Sequence, residues 1–315
     1  MNVDDVHHVS VIGAGLMGHG IALEFALGGY SVGVHDLTDQ KLTDAERNVR
    51  STVALLAEIG TISGEQAAAG LKRIRFSTDL AEIVGDADVV IEAVSEDIKV
   101  KRPLFAELDA LCPDRTILAS NTSTILPSAL AAATGRPDRV LVAHYFNPPH
   151  LLPLVELVRH AGVSDQTVAT MHALFTKIGK APAIVQKELP GFIGNRLQFA
   201  LFREALALVE AGIATPEDVD TVVKTGFGRR YAAAGPFEIW AAAGWDIVLA
   251  SGENVVANLS TAGEVSHLIR DKVEAGDLGM KTGKGFVEWT PEGIEAAKRR
   301  MGQMLITIAQ RSQEG

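Results

Sequence analysis

A single cysteine, Cys112, stands in 315 residues. The chain can therefore form no internal disulfide and no cysteine-based zinc site, and it is expected in a reducing, cytoplasmic compartment. Aromatic residues are scarce, at 5%. No apolar run approaches the roughly 18 residues that a membrane span needs. The opening Met1-Asn2-Val3-Asp4-Asp5 is acidic where a secretory signal would be basic and then apolar. Positive charge is short as well: 29 Lys and Arg against 39 Asp and Glu give a net charge of −10. An acidic chain without basic runs argues against nucleic acid or an anionic membrane as partner. No His/Cys/Asp cluster has ligand spacing, so no metal is expected.

What remains is globular composition, 47% hydrophobic and 22% charged, with 30 Gly and 12 Pro. At roughly 150 residues per domain the length suggests two domains. Short β-branched runs recur at Val6–Ile12, Ser31–His35, Ile74–Phe76, Ala87–Glu92, Thr116–Ala119, Arg139–Ala143, Leu154–Val158 and Ala183–Val185. Most are continuously apolar rather than alternating, and helical stretches separate them. That pattern predicts parallel strands buried on both faces. Residues 38–71 read as one or two helices. After Gln186 the texture changes. Residues 191–212 are helical and apolar over more than one stripe, which predicts burial on several sides. Thr215-Pro216 starts a helix, Gly226 and Gly228 end it, and Gly235-Pro236 starts another. Residues 291–315 read as a surface helix with a frayed end. The boundary is placed at residue 187: an α/β domain over 1–187, then an all-helical domain over 188–315.

The first motif is a strand that runs into Gly13-Ala14-Gly15-Leu16-Met17-Gly18 and then a helix. Gly13 allows a tight turn, Gly15 lets backbone approach a pyrophosphate, and Gly18 permits close helix–strand packing. The diphosphate is expected on the backbone N–H groups of this loop at the positive end of the helix. The next strand leads into Asp36, 18 residues past Gly18. A carboxylate there binds ribose hydroxyls and repels a 2′-phosphate, and Leu37-Thr38-Asp39 offer no arginine for one. NAD is the expected cofactor.

The second constellation lies at predicted strand ends, where a parallel sheet borders its ligand crevice. Ser120-Asn121-Thr122-Ser123-Thr124 follows one strand, and His144-Tyr145-Phe146-Asn147-Pro148-Pro149 follows another. Glu156 sits inside an apolar strand, where an unpaired carboxylate is costly. His144 is its expected partner. A carboxylate on one ring nitrogen fixes the tautomer and leaves the other nitrogen free as a general base.

Gly13–Gly18, Glu96-Asp97-Ile98-Lys99-Val100-Lys101, Ser120–Ser123, His144–Pro148, Glu156 and Pro190-Gly191-Phe192-Ile193-Gly194-Asn195-Arg196 fall in the order and spacing of the 3-hydroxyacyl-CoA dehydrogenases. The chain resembles that family over about residues 7–290. The resemblance implies a Rossmann-type first domain and a helical second domain through which the protein dimerises. It implies that His144 is the catalytic base, that Glu156 orients it, and that Ser123 and Asn195 hold the substrate oxygen. Glu96, Lys101, Ser123, Asn147 and Lys281 are implied along the cofactor or substrate.

Several segments resemble the branch that holds lambda-crystallin, L-gulonate 3-dehydrogenase and carnitine dehydrogenase: Asn147-Pro148-Pro149, Pro153–Val158, Val185–Glu188 and Gly226–Tyr231 through Gly235-Pro236. Ser120–Ser123 is closer to the acyl-CoA members. That branch has an arginine matching Arg230, and a guanidinium suits a free carboxylate better than a neutral thioester. The expected activity is NAD-dependent oxidation of the 3-hydroxyl of a free 3-hydroxy acid, with Arg230 on the substrate carboxylate. A 3-hydroxyacyl-CoA dehydrogenase is the second reading, and a crystallin-like structural protein that binds NAD without turnover is the third.

Overall fold

The computed structural model describes residues 1–311, so the frayed end expected at the C-terminus lies outside the described residues. The chain divides into two compact units, Met1–Asn195 and Arg196–Gly315. The first is built in the order β1 (His8–Ile12), α1 (Gly18–Leu27), β2 (Ser31–His35), α2 (Asp39–Glu58), α3 (Gly64–Lys72), β3 (Ile74–Ser77), α4 (Leu80–Val84) and β4 (Val89–Glu92). It continues with α5 (Ile98–Leu111), β5 (Ile117–Ser120), α6 (Pro127–Ala131), β6 (Val140–Tyr145), β7 (Leu154–Val158), α7 (Asp165–Lys177) and β8 (Ala181–Val185). The strands form one 8-stranded sheet in the order β3-β2-β1-β4-β5-β6-β7-β8. Strand order reverses between β1 and β4, and in such sheets the ligand crevice opens outside the carboxyl ends at that point.

The buried strands carry the apolar runs read from the sequence. Val9, Val11, Val89, Ile91, Ala119, Leu141, Val155 and Leu157 pack on α1 and α7 residues such as Ile21, Phe25 and Phe175, while Ile12, Val90, Leu118 and Val140 pack on Phe105 and Leu108 of α5. The sheet is largely parallel, as expected, and one pairing within it is not: β6 and β7 are antiparallel. The residues between Tyr145 and Leu154 are too few for a crossover, which needs a dozen or more.

The second unit begins within α8 (Gly194–Glu210) and continues through α9 (Pro216–Thr225), α10 (Pro236–Ala243), α11 (Trp245–Val255), α12 (His267–Glu274) and α13 (Pro291–Arg311). Thr215 caps α9 by accepting the Asp218 N–H. Among its described apolar residues only Leu206 and Ala297 are buried. The burial expected on several sides of α8 is not found within the chain: Leu197, Phe199, Leu201 and Phe202 are exposed. The division between units lies at Asn195, beyond the residue 187 read from the sequence, because residues 188–195 pack on the first unit. Phe192 is buried there with Val142, Val158 and Val185.

Candidate active site

β1 runs straight into the glycine loop. Gly13 takes φ +99° and donates its N–H to the carbonyl of His35 at 2.8 Å. A side chain at Gly18 would drive into the carbonyl oxygen of Gly13, whereas a Cβ on Gly15 would meet no protein atom within 4 Å. The chain itself therefore does not need glycine at 15; a methyl there would fill open space above the backbone. Ala14 is buried within this loop, Leu16 is exposed and Met17 half-buried.

Asp36, just past β2, ties the loop to the sheet. Its carboxylate accepts the N–H of Ala14 at 2.9 Å and that of Leu37 at 2.7 Å. Lys41 of α2 stands 3.2 Å away, a cation that lies beyond Leu37-Thr38-Asp39 in the chain. Burial pushes the Asp36 carboxyl up, but the two N–H bonds and Lys41 outweigh it and hold it below its ordinary value. A bare glycine beside a helix start and an ionised carboxylate at the end of β2 fit the diphosphate and ribose of a dinucleotide.

His144 lies inside β6 rather than beyond it, opposite Glu156 in the β6–β7 register. Its Nδ1 donates to a Glu156 carboxylate oxygen at 2.8 Å, and both side chains are buried. The other Glu156 oxygen accepts the N–H groups of Ile193 and Gly194, each at 2.9 Å. Burial raises the Glu156 carboxyl, while His144 and these two N–H groups bring it below its ordinary value. Phe146 and Phe192 stand against the imidazole with centroids at 4.9 and 5.5 Å. Phe192 holds φ +49°, a conformation costing a bulky residue about 1–3 kcal/mol, which the buried contacts offset. The result is an imidazole with one nitrogen fixed by a carboxylate and Nε2 left to act as a base.

The Ser123 turn follows β5. Asn121 accepts the Tyr145 N–H at 2.9 Å and so links the turn to β6. Glu96 accepts the N–H groups of Ser123 at 2.9 Å and Thr124 at 3.0 Å, with the hydroxyls of Thr122 and Thr124. Burial raises its carboxyl; the Thr122 hydroxyl, the Lys101 charge and the remaining donors hold it below its ordinary value. Lys101, implied along the cofactor, lies on α5. It is 1% exposed and paired with Glu92 at 2.6 Å, because α5 directs this residue inward onto the end of β4. Glu92, fully buried, escaped the sequence reading, although it carries the same signal as Glu156: an acid in an apolar strand.

Asn147 is exposed beyond β6, and Asn195 is half-buried at the start of α8. Arg230 and Lys281 belong to the second unit, both exposed, Arg230 in the 3-10 turn Phe227–Ala232. The first unit thus brings together the glycine loop, Asp36, the Ser123 turn and the His144–Glu156 pair along one edge of the sheet.

Residues 8–189 match the 3-hydroxyacyl-CoA dehydrogenase NAD binding domain, and residues 191–289 match the C-terminal domain of the same family. The human lambda-crystallin homolog is 42% identical over 231 residues, 73% of this chain and 72% of its own. A solved 5-formyl-3-hydroxy-2-methylpyridine 4-carboxylic acid 5-dehydrogenase, described as an NAD+-dependent dismutase, is 35% identical with a TM-score of 0.90, covering 98% of this chain and 99% of its own. The solved (S)-3-hydroxybutyryl-CoA dehydrogenase of Ralstonia eutropha is 34% identical with a TM-score of 0.77, covering 91% of this chain and 100% of its own. Both domain models together span residues 8–289, and the chain belongs to the 3-hydroxyacyl-CoA dehydrogenase family as an NAD-dependent oxidoreductase acting on a 3-hydroxy group.

Proposed function

We propose that this enzyme oxidises the 3-hydroxyl of a free 3-hydroxy acid to the 3-keto compound, within the lambda-crystallin-like branch of the family. The observation that carries the chemistry is the His144–Glu156 bond at 2.8 Å. Nε2 of His144 takes the hydroxyl proton, and Glu156 stabilises the imidazolium that forms. Ser123, on its Glu96-held turn, and Asn195 orient the reacting oxygen. NAD, when bound on the glycine loop and Asp36, supplies the hydride acceptor. The intact pair favours turnover over a purely structural role.

The choice of a free acid rests on Arg230, an exposed guanidinium for which no ion pair is formed among the described residues. A guanidinium holds a carboxylate through two parallel hydrogen bonds. The dehydrogenase named for a pyridine carboxylic acid supports the free-acid reading, and the lambda-crystallin homolog supports the branch. The Ser120–Ser123 segment and the Ralstonia relative support the thioester reading instead. NADH formation on 3-hydroxybutyrate, L-gulonate, L-carnitine and 3-hydroxybutyryl-CoA separates them. Turnover of at least one free acid above the thioester is expected; preference for the thioester over every acid would overturn the free-acid reading.

The same proposal includes a homodimer in a reducing, cytoplasmic setting. Phe237, Trp240 and Trp245 add to the exposed apolar residues of α8. Apolar surface on this scale marks a protein interface, and closed homodimers are the commonest assembly.

A further inference from the structure

Apart from His144 and Glu156, an ion pair joins three elements inside the first unit. Lys180 directly precedes β8, and its N–H donates to the Phe175 carbonyl of α7 at 2.9 Å. Its ammonium pairs with Glu24 of α1 and donates to the Pro149 carbonyl at 2.6 Å. The two side chains are only 5% and 13% exposed, so water and salt screen the pair little. Pro149 is buried in the turn that leaves β6, two residues past Asn147. Its ring sits on Gly20 of α1, where a Cβ would meet the ring Cγ at 2.5 Å. The Leu151 and Leu152 N–H groups close the same turn, each donating to the Pro148 carbonyl at 3.1 Å.

α1 is the helix that starts at the glycine loop, where the diphosphate of a dinucleotide belongs. The hydride acceptor must reach the carbon whose hydroxyl His144 deprotonates, so the nicotinamide end belongs beside the end of β6, where Asn147 lies. Pro149 is held to α1 at its ring by Gly20 and at its carbonyl by Lys180. A buried ion pair is weak support for stability compared with apolar packing, whereas a charge-assisted bond to a carbonyl fixes geometry.

We propose that Glu24 and Lys180 are positioning residues for the cofactor: by tying the Pro149 carbonyl to α1, they set how far Asn147 stands from the glycine loop. This rests on the proposed function, which puts the reacting carbon beside His144, and on Asn147 lying along the cofactor.

Lys180→Met alone would strand the Glu24 charge inside the protein. The informative variant is Glu24→Met with Lys180→Met, which replaces the pair by two apolar side chains. It is compared with Asn147→Ala, with the triple variant, and with Gly20→Ala, whose methyl pushes on Pro149 and leaves the buried charges untouched. All are full-length protein. Thermal midpoints are recorded, and calorimetry gives dissociation constants for NAD and for ADP, which carries the diphosphate and adenosine ribose but no nicotinamide. The double variant is expected to fold, to keep ADP affinity within about twofold, and to lose NAD affinity by about five- to tenfold, the scale of one hydrogen bond. Gly20→Ala is expected to show the same split between the two nucleotides. The triple variant is expected to bind NAD no more weakly than Asn147→Ala. NAD and ADP affinities falling together would overturn the proposal, because the glycine loop itself would then have moved. Wild-type NAD affinity in the double variant or in Gly20→Ala would overturn it as well, as would additive losses in the triple. A double variant that does not fold would make the pair structural and reject the positioning role. Wild-type NAD affinity in Asn147→Ala withdraws the asparagine and the proposal with it, whereas the substrate reading stands or falls on the turnover panel alone.

Discussion

His144 and Glu156 face one another in register across β6 and β7, so the sheet's antiparallel pairing is what brings imidazole and carboxylate together. Backbone hydrogen bonds hold both residues before any substrate contact is made. His144→Gln is expected to lower kcat by roughly 10², the scale of general-base catalysis, with NAD affinity unchanged. Steady-state kinetics beside a fluorescence titration of NAD checks this, and a wild-type rate would remove His144 from the mechanism.

Glu156→Gln is expected to slow the reaction and to destabilise the fold. An amide keeps one acceptor oxygen, which can serve the imidazole or the two N–H groups of Ile193 and Gly194, but not both. A donor left unpaired in this buried place costs about 1–3 kcal/mol. Urea unfolding of the variant and wild type measures it; equal midpoints would show that the N–H groups find other acceptors.

Acid should weaken the protein through specific carboxylates. Asp36, Asp88, Glu96 and Glu156 all have carboxyls held below their ordinary values by hydrogen bonds and neighbouring cations, against the raising effect of burial. Each contributes stability that is present above its unfolded value and lost as pH falls through its lower folded value. The unfolding midpoint is expected to hold near neutral pH and to drop below about pH 4. Glu156→Gln should show a shallower acid dependence than wild type, and parallel curves would count against this assignment.

Two glycine substitutions should separate fold from cofactor. Gly15→Ala places its methyl in open space, so stability should stay within about 0.5 kcal/mol. NAD affinity should fall at least about tenfold, or 1.4 kcal/mol. Gly18→Ala presses on the Gly13 carbonyl and should lower the thermal midpoint itself. Unchanged NAD binding in a folded Gly15→Ala variant would contradict the cradle. Asp36→Ala should likewise weaken NAD and narrow its advantage over NADP, as competition titrations would reveal.

Arg230→Met should raise KM for free 3-hydroxy acids while leaving any CoA-thioester activity largely intact. Equal loss on both substrates points to a structural arginine. For assembly, light scattering at micromolar concentration is expected to give twice the chain mass, and a monomer would defeat the dimer.

Much of this was legible in the sequence because its signals are local. Ser31–His35 and Leu154–Val158 are strands over the very residues read from their apolar runs, and Gly13–Gly18 with Asp36 lie on consecutive elements. Glu156 betrayed a partner because acids are costly inside apolar strands. Glu92 carries the same signal at the end of its apolar run, and it went unread. Lys101 reads as an outward lysine on an amphipathic helix; only the three-dimensional closeness of α5 to β4 shows it buried. Strand direction at β7 was a matter of loop length, and the exposed apolar face of α8 follows from surfaces that one chain does not close.

The two N–H groups that grip Glu156 also decide where this protein can be cut. A chain ended at residue 187 would keep every strand yet lose Phe192, Ile193 and Gly194, leaving the glutamate with the imidazole alone. The seam at which one relative's helical unit could be grafted onto another's sheet lies instead at Asn195, after the peptide that the buried glutamate has claimed as its own.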